Sequence, residues 1–243
     1  MAMPPLLSVV IPTLNEERSI GALLDDLGAL SVAHEVIVAD GGSDDGTVMV
    51  AERLGARVIR SRRGRGAQLA AGARAASAPV LCFLHADVRL REPARRELVE
   101  VVRSRAAGAF AFRFEIDARG WRYRLIELGA HLRVRLVRLP YGDQGLIVSR
   151  LDYDAAGGFA DLPLMEDVAM VDALKRVTAV RPLRSPLLVS ARRWEHDGPL
   201  TRMLRNWRLM LAYRLGASPH RLGARYQPHG DSPAAENRGP HRG

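Results

Sequence analysis

At 243 residues, 47% of them apolar, the chain can bury one sizeable core and is short for two independent domains. Its single cysteine, Cys82, excludes an internal disulfide framework and reads as buried packing suited to a reducing cytosol. The formal charge of +9 is carried by arginine apart from Lys175, and would attract phosphates, acidic lipid or nucleic acid without choosing among them. The first 14 residues lack a basic n-region and a cleavage site, and no uncharged run reaches the ~18 residues of a spanning helix. The expectation is a cytoplasmic protein, at most peripheral at the inner face of the membrane.

In chain order, residues 7–11 form a short apolar run closed by Pro12, a buried strand. Residues 20–30 carry helical spacing, with Ser19 as the expected cap. Strands follow at 35–39 and 57–60, with a helix at 47–54 between them. A small-residue helix at 66–76, a fourth strand at 80–84 and a helix at 93–105 continue the alternation. Such alternation predicts a mostly parallel, twisted α/β sheet flanked by helices. Residues 110–116 alternate apolar and polar, a strand with one buried face and an antiparallel candidate. The helix predicted over 121–139 aligns Trp121, Leu125, Leu128, Leu132 and Leu136 along one side, a stripe suited to the sheet or to a dimer partner. After it come a strand at 146–149, a turn at Gly157-Gly158 and a helix from about Asp167. Strand pieces near Val180 and at 187–192 precede a basic amphipathic C-terminal helix at 200–215. The Pro/Gly/His/Asn-rich 227–243 is expected to be disordered.

In an open parallel sheet, ligands bind beyond the carboxyl ends of strands, where the strand order reverses. If the order begins 3-2-1-4, three ends converge there. They carry Thr13-Leu14-Asn15-Glu16, Asp40-Gly41-Gly42-Ser43 and His85-Ala86-Asp87. A nicotinamide site is disfavoured, because the first strand runs into Pro12-Thr13-Leu14-Asn15 and not a Gly-x-Gly-x-x-Gly turn. Gly64-Arg65-Gly66 comes after the third strand and has Leu69 at the third glycine position. Asp87 suits a carboxylate that holds a divalent ion against two phosphates, and equally suits a loop cap after a buried strand.

Four segments taken together resemble the family 2 glycosyltransferases. Residues 8–17 are similar to their opening strand, and 36–47 to their second strand and nucleotide loop. Residues 64–72 are similar to the next segment, and Phe83-Leu84-His85-Ala86-Asp87 sits where that family places an Asp-x-Asp metal motif. The resemblance continues through 141–144, 157–159 and 165–167 to Arg192-Arg193-Trp194-Glu195, covering about residues 8–197. It implies a single GT-A-type, Rossmann-like domain over 1–226. The nucleotide-binding half would span about 6–105 and the acceptor and catalytic half 106–226. Within the family the chain is most similar to small soluble transferases associated with radical-SAM, selenium-related or arsenosugar pathways.

The resemblance implies an inverting transfer from a nucleotide-diphosphate sugar, UDP- before GDP-linked, to a small-molecule acceptor. Asp40 would meet the base, with Pro12, Thr13, Asn15, Glu16 and Gly41 around it, or would simply cap its own turn. Arg65 and Gln68, at a helix start, would meet phosphate, and Ala86 would lie against the donor beside Asp87. Asp87 would ligate the metal, Mn²⁺ or Mg²⁺, and His85 would be a second ligand, touch the ribose, or do neither. Having His85 where the motif has an acid favours Mn²⁺, since imidazole suits Mg²⁺ poorly. Glu166 and Asp167 would supply the general base; neighbours at a helix start do not both face the site, and the resemblance favours Asp167, while both acids also suit a helix N-terminus. Asp143 and Gln144 would approach sugar or acceptor, and Arg193 and Trp194 would hold the diphosphate and stack on sugar. His196 is a further candidate ligand with a surface role as its alternative. A peripheral transferase with a lipid-phosphate acceptor is the alternative, carried by the two basic amphipathic helices. A nucleic-acid-binding protein has only charge behind it, and no aromatic-interleaved basic motif.

Overall fold

The structure, a computed structural model, describes residues 4–191 and 198–225. Arg193, Trp194, His196 and the expected tail at 227–243 lie outside the described residues. The first strand, β1 (Leu7–Thr13), is buried almost throughout because helices cover both of its faces. Leu7, Val9 and Ile11 pack with α1 (Glu17–Gly28), whereas Val10 packs with α3 (Arg65–Ala75). Gly72 makes the second contact this close, since a methyl there would sit 2.2 Å from Val10 Cγ1. Around β1 the chain adds β2 (His34–Asp40), α2 (Thr47–Arg53), β3 (Arg57–Arg60), β4 (Val80–Phe83), β5 (Val88–Arg89) and α4 (Glu92–Ser104). The remainder is β6 (Ala109–Ile116), α5 (Trp121–Val137), β7 (Leu146–Ser149), α6 (Arg150–Ala155), α7 (Glu166–Val177), β8 (Val180–Val189), α8 (Pro199–Arg214) and α9 (Pro219–Arg225). Helix α1 begins three residues before the expected start, which places Ser19 inside it and leaves Glu16 at the cap.

Among the described residues the sheet runs β3-β2-β1-β4-β7-β6-β8-β5. The expected 3-2-1-4 start is present, with Thr13 and Asp40 in register at the carboxyl ends of β1 and β2. Two strands are reversed: β7, antiparallel to both β4 and β6, and the edge strand β5, antiparallel to β8. Strand β6 is thus antiparallel to β7 and parallel to β8. Its alternation starts only at Arg113, because the first four residues are buried on both faces. The two strand pieces expected near 180 and 187 are one strand, β8. Pro182 and Pro186 lie inside it and cannot donate to a ladder, and its pairing with β6 shifts register between Ala111 and Arg113.

The expected packing stripe of α5 is its outer face. Trp121, Leu125, Leu128, Leu132 and Leu136 are all exposed, while Ile126, Ala130 and Val134 are buried. Those smaller side chains let the helix approach β6. There the buried Glu127 accepts the Ile116 backbone N–H at 2.9 Å, and a His131 ring nitrogen lies 3.0 Å from the Phe114 carbonyl. Helix α8 divides in the same way, with Met203, Leu209, Met210 and Tyr213 inward and Leu204, Trp207, Leu211 and Leu215 outward.

Candidate functional site

At the end of β2, Asp40 is buried and spends both carboxylate oxygens on its own loop. Oδ2 accepts the backbone N–H groups of Gly42 and Ser43, each at 2.9 Å. Oδ1 accepts the hydroxyls of Ser43 at 2.5 Å and Thr13 at 3.2 Å. Of the two roles read from sequence, this geometry is the turn cap. The Asn15 side chain accepts the Asp44 N–H at 3.0 Å, and the Asn15 and Glu16 N–H groups donate to Ser43 and Thr47 hydroxyls at 2.9 and 2.8 Å. The first two loops are thereby tied together, with Pro12 and Gly41 half-buried and Asn15 exposed at their edge.

Three expected site residues turn their side chains into the protein. Gln68 is buried, and its amide donates to the Thr13 and Ala39 carbonyls at 2.6 and 2.9 Å, so it staples β1 to β2 and does not meet phosphate. Gln144 is buried as well. It donates to the Phe112 carbonyl at 3.0 Å and accepts from Arg133 and the Tyr141 N–H at 3.0 and 3.2 Å, which withdraws it from sugar or acceptor. The Ala86 methyl belongs to the core beneath β4, leaving only its backbone to face a ligand. For the two glutamines the interior offers hydrogen-bond partners that a solvent-facing site would have to replace.

His85, Asp87, Asp143 and Asp167 converge. They line a cavity of about 140 Å³, together with Arg65, Tyr141, Gly142, Met165 and Ser190, and with Asn206, Leu209 and Met210 of α8. Asp167 opens α7, and its two oxygens are oriented by backbone N–H groups, Oδ2 by Gly142 at 2.7 Å and Oδ1 by Val168 at 2.8 Å. A methyl on Gly142 would lie 3.0 Å from His85 Nε2 and 3.4 Å from Asp167 Oδ2, which puts those two side chains against the same face of the glycine. The Ser190 N–H holds the Asp87 carbonyl at 3.1 Å and so fixes the loop after β4 against the end of β8. As expected of neighbours at a helix start, Glu166 points elsewhere: it is buried and ion-paired with Arg65 Nε. Burial raises the Glu166 pKa, and Arg65 opposes the rise. The Gly157-Gly158 turn has positive φ at both residues, and a side chain would be crowded only at Gly158, where a methyl would sit 3.1 Å from the Tyr153 hydroxyl. Asn206 and Ser190 were not foreseen; an asparagine amid arginines and leucines on α8 was the one available sign.

Asp143 Oδ1 is shut off from solvent without a hydrogen-bond partner, an arrangement that a buried polar atom rarely keeps without a reason. Burial pushes its pKa up to about 6, with Arg133 opposing and Asp167 adding to the rise. Because the folded value lies above the ordinary 3.8, the stability it allows is complete below pH about 4 and is lost as pH climbs through about 6. Asp143→Asn should therefore stabilise the metal-free protein at pH 7.5 by on the order of 2–3 kcal/mol and leave it nearly unchanged at pH 4. Urea melts at the two pH values test this, and an equal gap at both would refute it.

With this geometry in place, the chain can be set beside known proteins. The sequence profile of glycosyl transferase family 2 matches residues 8–159. An uncharacterised glycosyltransferase of Mycobacterium tuberculosis is 40% identical over 81 residues, which cover 33% of this chain and 36% of that protein. The dolichyl-phosphate hexose transferase of Haloferax volcanii is 37% identical over 82 residues, covering 33% and 36%. The matched part is thus about a third of the length of these curated relatives. Among solved structures, glucosyl-3-phosphoglycerate synthase of Mycobacterium tuberculosis, in complex with Mn²⁺, UDP and glucosyl-3-phosphoglycerate, superimposes with a TM-score of 0.57. Identity there is 25%, over 76% of this chain and 71% of that one, and the shared architecture is the GT-A fold.

Proposed function

The chain belongs to glycosyl transferase family 2, and from that premise we propose that it transfers a sugar, with inversion, from a UDP-sugar to a small-molecule acceptor. The observation that carries this reading is the convergence of Asp87, Asp143 and Asp167 on one cavity at the carboxyl end of β4. The base end of the donor would rest on the linked loops, against Pro12, Asn15 and Gly41, with Asp40 and Thr13 holding their shape. Arg65 lines the cavity and would meet the diphosphate while Glu166 orients its guanidinium. Asp167 would take the acceptor proton. Its two backbone N–H partners fix the carboxylate in one orientation, as a base acting in a single displacement requires. Asp143, poised to ionise near neutrality, would accept hydrogen bonds from sugar hydroxyls.

The residues also fit a divalent ion. Among the described residues no three metal-ligating side chains form a closed cage, so an ion would take its remaining ligands from phosphate, as Mg²⁺ and Mn²⁺ do in phosphate sites. Asp87 would hold it with His85 alongside, and when bound it supplies positive charge for the departing diphosphate. A small acceptor follows from the resemblance to the radical-SAM-associated transferases and from the modest cavity. The fold is thereby proposed to divide into a nucleotide half, about 6–105, and an acceptor half, 106–226.

The test is NMR of UDP-sugar consumption with Mn²⁺ present. The anomer formed first should be opposite to the donor's. A retained anomer would remove the single displacement and with it Asp167 as the base.

A further inference from the structure

Two helices that pack against each other, α5 and α8, each leave an apolar stripe to solvent. Trp121 and Leu136 mark the ends of one stripe at 66% and 71% exposure; Trp207, Leu211 and Leu215 form the other at 61–79%. The charge that the two helices themselves expose has one sign, while Asp172 of α7 and Glu115 of β6 pair with Arg214 and Arg124 from neighbouring elements. Arg122, Arg135, Arg138 and Arg208 are exposed. Helix α8 contains no acid, and the one acid of α5, Glu127, is buried beneath Arg124. No described helix is long and apolar enough to cross a membrane. Tryptophan and leucine exposed between arginines form the surface of a helix that lies in a bilayer interface, the rings among headgroups and the guanidinium groups on lipid phosphate.

We propose that the α5–α8 face docks on an anionic lipid bilayer. A second copy fits this face less well, because a two-fold contact would bring the exposed arginines of the two helices together, and neither helix exposes an acid of its own. The inner side of α8 gives Asn206, Leu209 and Met210 to the catalytic cavity, so docking would hold that cavity beside the membrane surface. Of the two uses expected for the α5 stripe, the sheet and a dimer partner, packing on the sheet is not seen, since the stripe faces outward. The proposal rests on the two helices alone and not on the transfer reaction.

The experiment is co-sedimentation of the full chain with vesicles of phosphatidylcholine, or of phosphatidylcholine and phosphatidylglycerol in equal parts, without nucleotide sugar. The chain should pellet with the anionic vesicles only, and high salt should release it. Trp207→Ser with Leu211→Ser should weaken partitioning roughly tenfold, and Arg135→Glu with Arg208→Glu should do likewise, in proteins with unchanged circular dichroism. Absence of binding to anionic vesicles at low salt would overturn the proposal. So would binding that ignores the Trp207/Leu211 pair, which would leave only a diffuse charge effect. Sedimentation velocity showing a dimer that the same pair dissolves, with no vesicle binding, would give the face to a second copy.

Discussion

Asp167→Ala should bind the donor as the parent does and lose turnover by about 10²- to 10⁴-fold, the usual contribution of a positioned general base. The carboxylate lines the cavity at the start of α7, and the Gly142 and Val168 N–H groups hold both oxygens in place. Removing it leaves the Gly142 N–H without its acceptor, which costs about 1 kcal/mol of stability and could be mistaken for a folding defect. Asp167→Asn separates the two effects. Its amide oxygen can still accept from Gly142 while taking no proton, so it should melt near the parent and remain inactive. Full turnover in Asp167→Asn would move the base elsewhere, with Asp143 the next carboxylate in the same cavity.

Asp87→Ala is expected to abolish the metal-dependent part of donor binding. At UDP and Mn²⁺ concentrations about 100 times their dissociation constants, the parent should gain about 2.7 kcal/mol of stability by linkage. The variant should show no more stabilisation with Mn²⁺ and UDP together than with UDP alone. His85→Ala discriminates further. If imidazole ligates the ion, Mn²⁺ preference over Mg²⁺ should fall in this variant. If His85 acts only through its neighbours at Gly142, the preference should stay and the rate should change. Metal-linked stabilisation that survives Asp87→Ala would place the ion elsewhere.

Much of the architecture was legible in the sequence because β1, β2 and β4 are continuous β-branched or apolar runs, and a parallel sheet covered on both faces requires such runs. Once their order was anticipated, the place of His85 and Asp87 followed, and the cavity lies there. The long-range uses of side-chain amides were not legible. Gln68 and Gln144 occupy site-like positions in the chain, yet the Gln68 amide nitrogen and both ends of the Gln144 amide are taken by groups brought together only by folding. Asp40 is similar, since a carboxylate before two glycines can cap a turn or meet a base, and here it caps the turn. Helix α5 misled for a different reason. It has apolar residues on two faces, and hydrophobic spacing alone does not say which face meets the sheet. The smaller set, Ile126, Ala130 and Val134, is the one that packs. The prolines of β8 divided one strand into two expected pieces, and it tolerates them because β5 pairs it only at Leu188 and Val189, leaving the proline stretch with β6 alone.

Thermal melts with UDP- and GDP-sugars, each with and without Mn²⁺, test most directly whether the cavity at the end of β4 takes a nucleotide-diphosphate sugar. At least one UDP-sugar should raise the melting temperature, and Mn²⁺ should enlarge the rise in the parent but not in Asp87→Ala. A fold that no nucleotide diphosphate or nucleotide sugar stabilises, with or without the metal, would contradict the account.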